Sequence, residues 1–294
     1  MTKLISVVIA NYNYGCYLAE AIESVVSQGL ESKVELIVCD GGSTDNSVDV
    51  IKKYEKHIAW WCSERDEGQS DAFNKGFSHA KGKYLTWLNA DDILLPGSLL
   101  RVIASMEKHP GCEWFTANTI RFLNDGTVYE VWWGPHFYPA LLQRNDSPIV
   151  SFGPSAFFSR ALFSRIGMFD RSFHMVMDTD MWQRFILTGV KQRRINCFCW
   201  GFRMHESSKT AEFGSHVLVG EQSKRIKEES ARMERKNGYT MSKGVRLICL
   251  TLRFFDGSLL RRLWYALTLR RMDTLMKAKS LQTDCSGCYG TVRI

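Results

Sequence analysis

Within the first 117 residues, short β-branched and aliphatic runs alternate with stretches of helical spacing. No other feature restricts the fold as much. Leu4–Ala10, Val34–Cys39, Ile58–Cys62, Tyr84–Leu88 and Glu113–Ala117 have strand character. Between them, Tyr17–Gln28, Ser47–Lys56 and Ser70–Ala80 place apolar residues at helical intervals, and Pro96 opens another helix to about Lys108. Strands that alternate with helices of this length call for βαβ crossovers, so the reading is an α/β fold with a mostly parallel sheet flanked by helices. Further along, Arg160–Gly167 and Asp180–Thr188 read as helices. Thr127–Phe152 is aromatic and broken by Pro and Gly, which suits the loop-rich wall of a cleft.

Charge divides the chain in two. Residues 221–281 hold 15 Lys/Arg against 6 Asp/Glu, whereas residues 1–220 hold 22 against 24. The expectation is a near-neutral body over residues 1–220 and a helical, basic C-terminal extension over 221–294. A basic extension points to an anionic partner, either a lipid surface or nucleic acid. Val245–Phe255 and Leu259–Arg271 are apolar-basic helices in which Leu263–Leu267 lies between Arg261-Arg262 and Arg270-Arg271. Such a helix suits a membrane interface, and equally an ordinary stripe packed on the body. No nucleic-acid reader motif accompanies it, so no nucleic-acid partner is expected. No stretch has the length of a spanning helix, and the N-terminus runs directly into a strand with no cleavage-site pattern. The nine cysteines are odd in number and scattered, and Cys285–Cys288 is an isolated CxxC near a tail. Reduced thiols and a cytoplasmic place, peripheral at the inner membrane face, are expected.

Two strand-like runs end in acid. Tyr84–Asp92 breaks off into Asp91-Asp92, and Val38-Cys39 runs into Asp40-Gly41-Gly42-Ser43. A carboxylate at the end of a buried strand is delivered to the sheet edge where open α/β folds bind ligands, and a pair suits a hard cation held against phosphates. Asp92 alone reads as a turn residue capping the helix after Pro96. Asp45 and Asn46 read as an Asx turn into the next helix. The two glycines after Asp40 let backbone approach a flat ligand, but the spacing is neither a dinucleotide fingerprint nor a Walker loop.

Ser6–Asn13, Cys39–Asp45, Glu67–Gly76 and Asn89–Asp92, in this order, resemble the inverting glycosyltransferases of family two with the GT-A fold. The resemblance runs from about Leu4 to Thr210. It implies a nucleoside-diphosphate sugar donor, UDP-sugar foremost, a divalent metal (Mn2+ or Mg2+), and a hydroxyl of a glycan or lipid-linked acceptor in cell-surface polysaccharide synthesis. Matched position by position, it places Asn11, Tyr12, Asp40 and Ser43 at the nucleotide, with Asp40 at the base edge. Asp71 and Asn74 would line the nucleotide pocket, and Asp91 would bind the metal. Asn89 stands where that acidic element often begins with Asp, and Phe73 where many relatives have Arg. Met177–Trp182 resembles the acidic motif that supplies the catalytic base, which assigns that role to Asp178 and a structural one to Asp180. Gly167–Asp170 resembles a structural turn of the family. Arg203–Thr210 resembles the His-containing stretch that closes the cleft, with His205 as a metal ligand and Lys209 facing the diphosphate. The departures at Asn89 and Phe73 leave a catalytically silent scaffold of the same fold as the competing reading, beside a nucleic-acid-binding protein using the basic tail.

Overall fold

The computed structural model describes residues 3–132, 153–205 and 221–238. Its core is one sheet of nine strands among the described residues, in the order β3-β2-β1-β4-β8-β6-β9-β5, with β7 paired to β6. The first four are β1 (Ile5–Asn11), β2 (Val34–Asp40), β3 (Trp60–Ser63) and β4 (Tyr84–Asn89). They pair in parallel, as the alternating pattern requires. The second half is mixed. It contains β5 (Ile93–Leu94), β6 (Trp114–Leu123), β7 (Val128–Trp132), β8 (Ala156–Ser159) and β9 (Gln192–Met204). There β6 and β9 are parallel, and the β4–β8, β6–β8, β6–β7 and β5–β9 pairs are antiparallel. The parallel character is therefore concentrated in the N-terminal half. The stretch read as a loop wall from Thr127 contains β7, and residues 133–152 lie outside the described set.

Successive strand residues point to opposite faces, so the sheet is covered twice. Val7, Ile9, Tyr84 and Leu88 join one buried cluster with α1 (Gly15–Val26) and α4 (Ser98–Lys108). Val8, Leu85 and Trp87 join the other, with α3 (Gln69–His79), α5 (Arg160–Ile166) and α6 (Met177–Leu187). α3 approaches closely because residue 76 is glycine: a Cβ there would come within 2.3 Å of a Val8 methyl. α2 (Ser47–Lys53) follows the Asx turn expected at Asp45, whose Oδ1 accepts the Ser47 N–H at 3.0 Å.

The second cluster is an aromatic slab. Trp182 of α6 stacks between Trp87 of β4 at 5.5 Å and Trp114 of β6 at 5.7 Å. Phe73 is fully buried here against Phe77, Trp87 and Phe169, so its ring serves packing. α7 (Glu221–Asn237) is the first part of the expected basic extension, and it packs on the same cluster through Met233 and Ile226. The two helices expected at Val245–Phe255 and Leu259–Arg271 lie outside the described residues.

Candidate active site

The carboxyl ends of the parallel strands form a row. Register places Ser63 beside Asp40, Asp40 beside Asn11, and Asn89 beside Ala10. In front of this row opens a cleft of about 730 Å3. Asn11, Tyr12, Asn89, Asp91 and Asp178, five of the residues singled out in the sequence, line it together.

Asp40 is only 1 % exposed and forms the floor. Its Oδ1 accepts from Asn11 Nδ2 at 2.6 Å and Ser43 Oγ at 2.5 Å, and its Oδ2 from Ser43 N at 3.0 Å and Ser63 Oγ at 2.6 Å. Burial raises its pKa, but the bonds from Ser43, Ser63 and Asn11 outweigh burial and hold the group below the ordinary aspartate range. Gly42, with φ of +80°, lets the chain turn back over this floor. Asp40 and Ser43 thus brace this end of the cleft from below.

Asp71 and Asn74 do not reach the cleft wall. Asp71 accepts the Glu67 N–H and pairs with Arg171 Nε at 3.2 Å. Asn74 donates to the Phe169 carbonyl and accepts the Phe169 N–H, both at 2.9 Å. A buried amide that satisfies both backbone groups of one residue is a clamp, here on the Gly167–Asp170 turn.

At the other end of the row, Asp91 Oδ2 lies 3.1 Å from His205 Nε2. The turn after β4 carries the first, and the second directly follows β9. Their meeting is held by Arg203, which is 4 % exposed. Its Nε donates to the Asp91 carbonyl at 2.8 Å, its backbone N–H to Asp92 Oδ1 at 3.0 Å, and Nη2 to Glu20 at 2.6 Å. Tyr14 and Tyr17 pack their rings on the His205 imidazole at 5.6 and 4.9 Å.

Asp92 corrects the sequence reading. It caps no helix, since Gly97 precedes α4 and Asp92 itself is fully buried. Burial first, and then the neighbouring Asp91 charge, push its pKa well above the ordinary value. It accepts from Arg203 N and, at 2.8 Å, from Asn89 Nδ2, while Asn89 Oδ1 accepts from Gln69 Nε2 at 2.6 Å. An aspartate at 89 would face Asp92 with no donor, so the amide has a structural cause.

Asp178 stands in the first turn of α6, on the cleft wall with Met175 and Met177. Burial raises its pKa, and the Thr179 N–H and hydroxyl, which donate to Oδ1, offset this only in part. Asp180 has the structural role expected: it is fully buried and bound to Arg184 at 2.8 Å and Asn237 at 3.1 Å. Lys209 lies outside the described residues.

Sequence reasoning missed Asp66, Arg65 and the aromatic wall of Trp200 and Phe202, all of which line the cleft. Asp66 Oδ1 accepts the Gly68 N–H at 2.8 Å, and burial raises its pKa. The signal for it was present in Ser63-Glu64-Arg65-Asp66, an acidic run directly after a strand.

For a metal, Asp91 on the cleft wall and His205 beside it offer one carboxylate and one imidazole, a donor set that fits a divalent cation. No group of three or more His, Cys, Asp or Glu side chains converges among the described residues.

Residues 6–167 match the family model described as Glycosyl transferase family 2. The chain belongs to that family. This family 2 glycosyltransferase is 42% identical over 102 residues to an uncharacterized glycosyltransferase of Nostoc sp., covering 34% of this chain and 31% of that one. It is 27% identical over 190 residues to one of Rickettsia typhi, covering 63% and 59%. The matches thus span between about a third and three-fifths of those two relatives. The UDP-Glc:α-D-GlcNAc-diphosphoundecaprenol β-1,3-glucosyltransferase WfaP of Escherichia coli is 25% identical over 217 residues, covering 71% of this chain and 80% of WfaP. The fold is that of S. aureus TarS in complex with UDP-GlcNAc, with TM-score 0.56, 16% identity, and coverage of 74% and 62%. It is also that of the Pyrobaculum calidifontis mannosyltransferase PcManGT in complex with GDP-Man and Mn2+, with TM-score 0.55, 15% identity, and coverage of 92% and 87%. The glycosyltransferase fold expected from the motifs is thereby established as GT-A type.

Proposed function

We propose that this glycosyltransferase moves a sugar, with inversion, from a nucleoside-diphosphate donor to a hydroxyl of a glycan or lipid-linked acceptor, in a divalent-metal-dependent reaction serving surface polysaccharide synthesis. The observation that carries the reading is that Asp178 and Asp91, the latter backed by His205, face one cleft from different parts of the chain.

Inversion needs a base on the acceptor side and positive charge on the leaving-group side. Asp178, held half-buried in the first turn of α6, receives the proton of the acceptor hydroxyl as the oxygen attacks the anomeric carbon. Its raised pKa makes it a stronger base than an exposed aspartate. Asp91 and His205 would hold the divalent cation, whose chemistry there would be to supply positive charge against the departing diphosphate. Asn11, Tyr12, Arg65 and Asp66 surround the nucleotide above the Asp40–Ser43 floor. Trp200 and Phe202 give the sugar an apolar wall. UDP is the favoured nucleotide, by likeness to the WfaP and TarS names.

A thermal-shift panel of UDP-, GDP-, dTDP- and CMP-sugars, each with and without Mn2+, tests this. A ligand at 100 times its Kd stabilises the native state by about 2.7 kcal/mol. UDP-sugars with Mn2+ are expected to raise Tm, and Mn2+ alone to leave it unchanged because the described residues offer two ligands. A flat panel would refute the reading.

A further inference from the structure

A second cavity, of about 480 Å3, adjoins the cleft and is lined by Ser172, His174, Arg225, Glu228, Glu229, Arg232 and Arg235. His174 lines both cavities, so it is the sill between them. Arg225, Arg232 and Arg235 recur at seven and three residues, which places them on one face of α7. Two of these guanidiniums are oriented in advance. Arg225 Nε donates to Glu229 at 3.2 Å, and Arg232 lies over the Phe173 ring at 4.7 Å and donates to the Ser172 carbonyl.

The acidic lining offsets this charge only in part: three arginines meet two glutamates, and Glu229 pairs with Arg225. Glu229 is 5 % exposed, and its other oxygen accepts the backbone N–H groups of His174 at 3.0 Å and Met175 at 2.7 Å. It is spent on tying α7 to the loop that leads into Asp178. Glu228 is exposed and pairs along the helix with Lys224 at 3.9 Å. The groove therefore offers forked N–H donors to an anion, at a position joined to the base by four residues of chain.

Resting on the glycosyl-transfer reading, we propose that this groove docks a phosphate group of the acceptor on Arg225, Arg232 and Arg235, so that the acceptor crosses His174 to present its hydroxyl to Asp178. The donor's diphosphate belongs to the opposite wall, at Asp91 and His205. A cavity of about 480 Å3 has room for a phosphate or diphosphate. The phosphate comes either from a lipid carrier or from a water-soluble phosphorylated glycan.

The test is a calorimetric titration of the full chain, its cleft saturated with Mn2+ and the nucleoside diphosphate selected by the donor panel. The probes are geranyl diphosphate, inorganic diphosphate, glucose 1-phosphate and glucuronate. The phosphate probes are expected to bind, with glucuronate at least about tenfold weaker, since a single carboxylate makes fewer charge-assisted bonds. Geranyl diphosphate binding more tightly than both glucose 1-phosphate and inorganic diphosphate, the charge-matched control, identifies a lipid carrier; affinity equal to that of inorganic diphosphate identifies the phosphate alone. Arg232→Gln/Arg235→Gln should lower phosphate-probe affinity about 10- to 100-fold, the loss expected for a charge-assisted bond. Arg235→Gln, whose side chain carries no packing role in the slab, should lower it in part. Nucleotide affinity should stay within about twofold. Phosphate affinity unchanged in the double variant, or glucuronate binding equally well, overturns the proposal. Should no nucleotide bind, the function reading falls, while the phosphate titrations without nucleotide still report on the groove.

Discussion

As the proposed base, Asp178 trades stability for basicity. A carboxylate whose pKa is raised by burial is most favourable to the native state below its unfolded value near 3.9, and that contribution is lost as pH rises through the folded value. At neutral pH the ionised group is therefore a cost. Asp178→Asn keeps an oxygen for the Thr179 donors and removes the charge. It should cut transfer about 10²- to 10⁴-fold while donor affinity stays unchanged and Tm at pH 7.5 holds or rises. Retained transfer would contradict the base assignment, and a fall in Tm would contradict the cost assigned to the buried charge. In the parent protein, the acid limb of kcat/KM should lie above the usual aspartate range, because the base works only when deprotonated. Asn89 carries the opposite kind of constraint. Asn89→Asp removes the donor to buried Asp92 and sets two carboxylates together, so the native state should lose about 1–3 kcal/mol. Melting curves of Asn89→Asp at pH 7.5 with and without Mn2+ measure this; a more stable variant would show that the amide is incidental. Such residues also mark how far the sequence could be read. Asp91 and Asp178 were legible because an acid at a strand end or helix start needs only local pattern to be noticed. Asp92, Asn74 and Asp71 were not. Their partners, Arg203, Phe169 and Arg171, lie about 95 to 111 residues away, and no local pattern encodes such a bond.

Elements, by contrast, were legible wherever both faces of a strand are buried against helices. β1, β2 and β4 read as continuous apolar runs and sit where expected, within a residue or two. β9 was missed. Its thirteen residues include Gln192, Arg193, Arg194, Asn196 and Arg203, polar groups that belong in a strand only because β6 and Asp92 receive them. β8 was missed because four residues between Pro154 and a helix give no period. α7 was taken with a separate basic extension because its charge dominates its sequence. Its buried stripe of Ile226, Glu229 and Met233 is what joins it to the body. That join has a measurable consequence. Glu229→Ala leaves the His174 and Met175 N–H groups without their acceptor, a loss of about 1–3 kcal/mol. For a domain of this size each kcal/mol lowers Tm by about 2–4 °C. The same change loosens the loop before Asp178, so kcat should fall while KM for the donor holds. Unchanged Tm and kcat would show α7 to be a passenger.

At the scale of the whole molecule, charge is segregated: a near-neutral body and a basic stretch that begins in α7 and continues through residues 239–281. No helix among the described residues is long and apolar enough to cross a membrane. An acceptor carried on lipid would have to be met at a surface, and paired arginines around Leu263–Leu267 are suited to an anionic one. Each basic residue near such a surface contributes about 1 kcal/mol, an attraction that falls off within a Debye length of roughly 10 Å at 0.1 M salt. Deleting residues 243–294 keeps α7 and its contacts with the body, so nucleotide affinity and Tm should be retained. Binding to vesicles of anionic phospholipid should then drop more than about 100-fold in a sedimentation assay, since several such contributions are removed at once. Binding of the full chain should itself weaken between 0.1 and 0.5 M salt, by the same screening. Equal sedimentation of the full and shortened chains would mean that the tail packs on the body instead, and that the acceptor reaches the groove from solution.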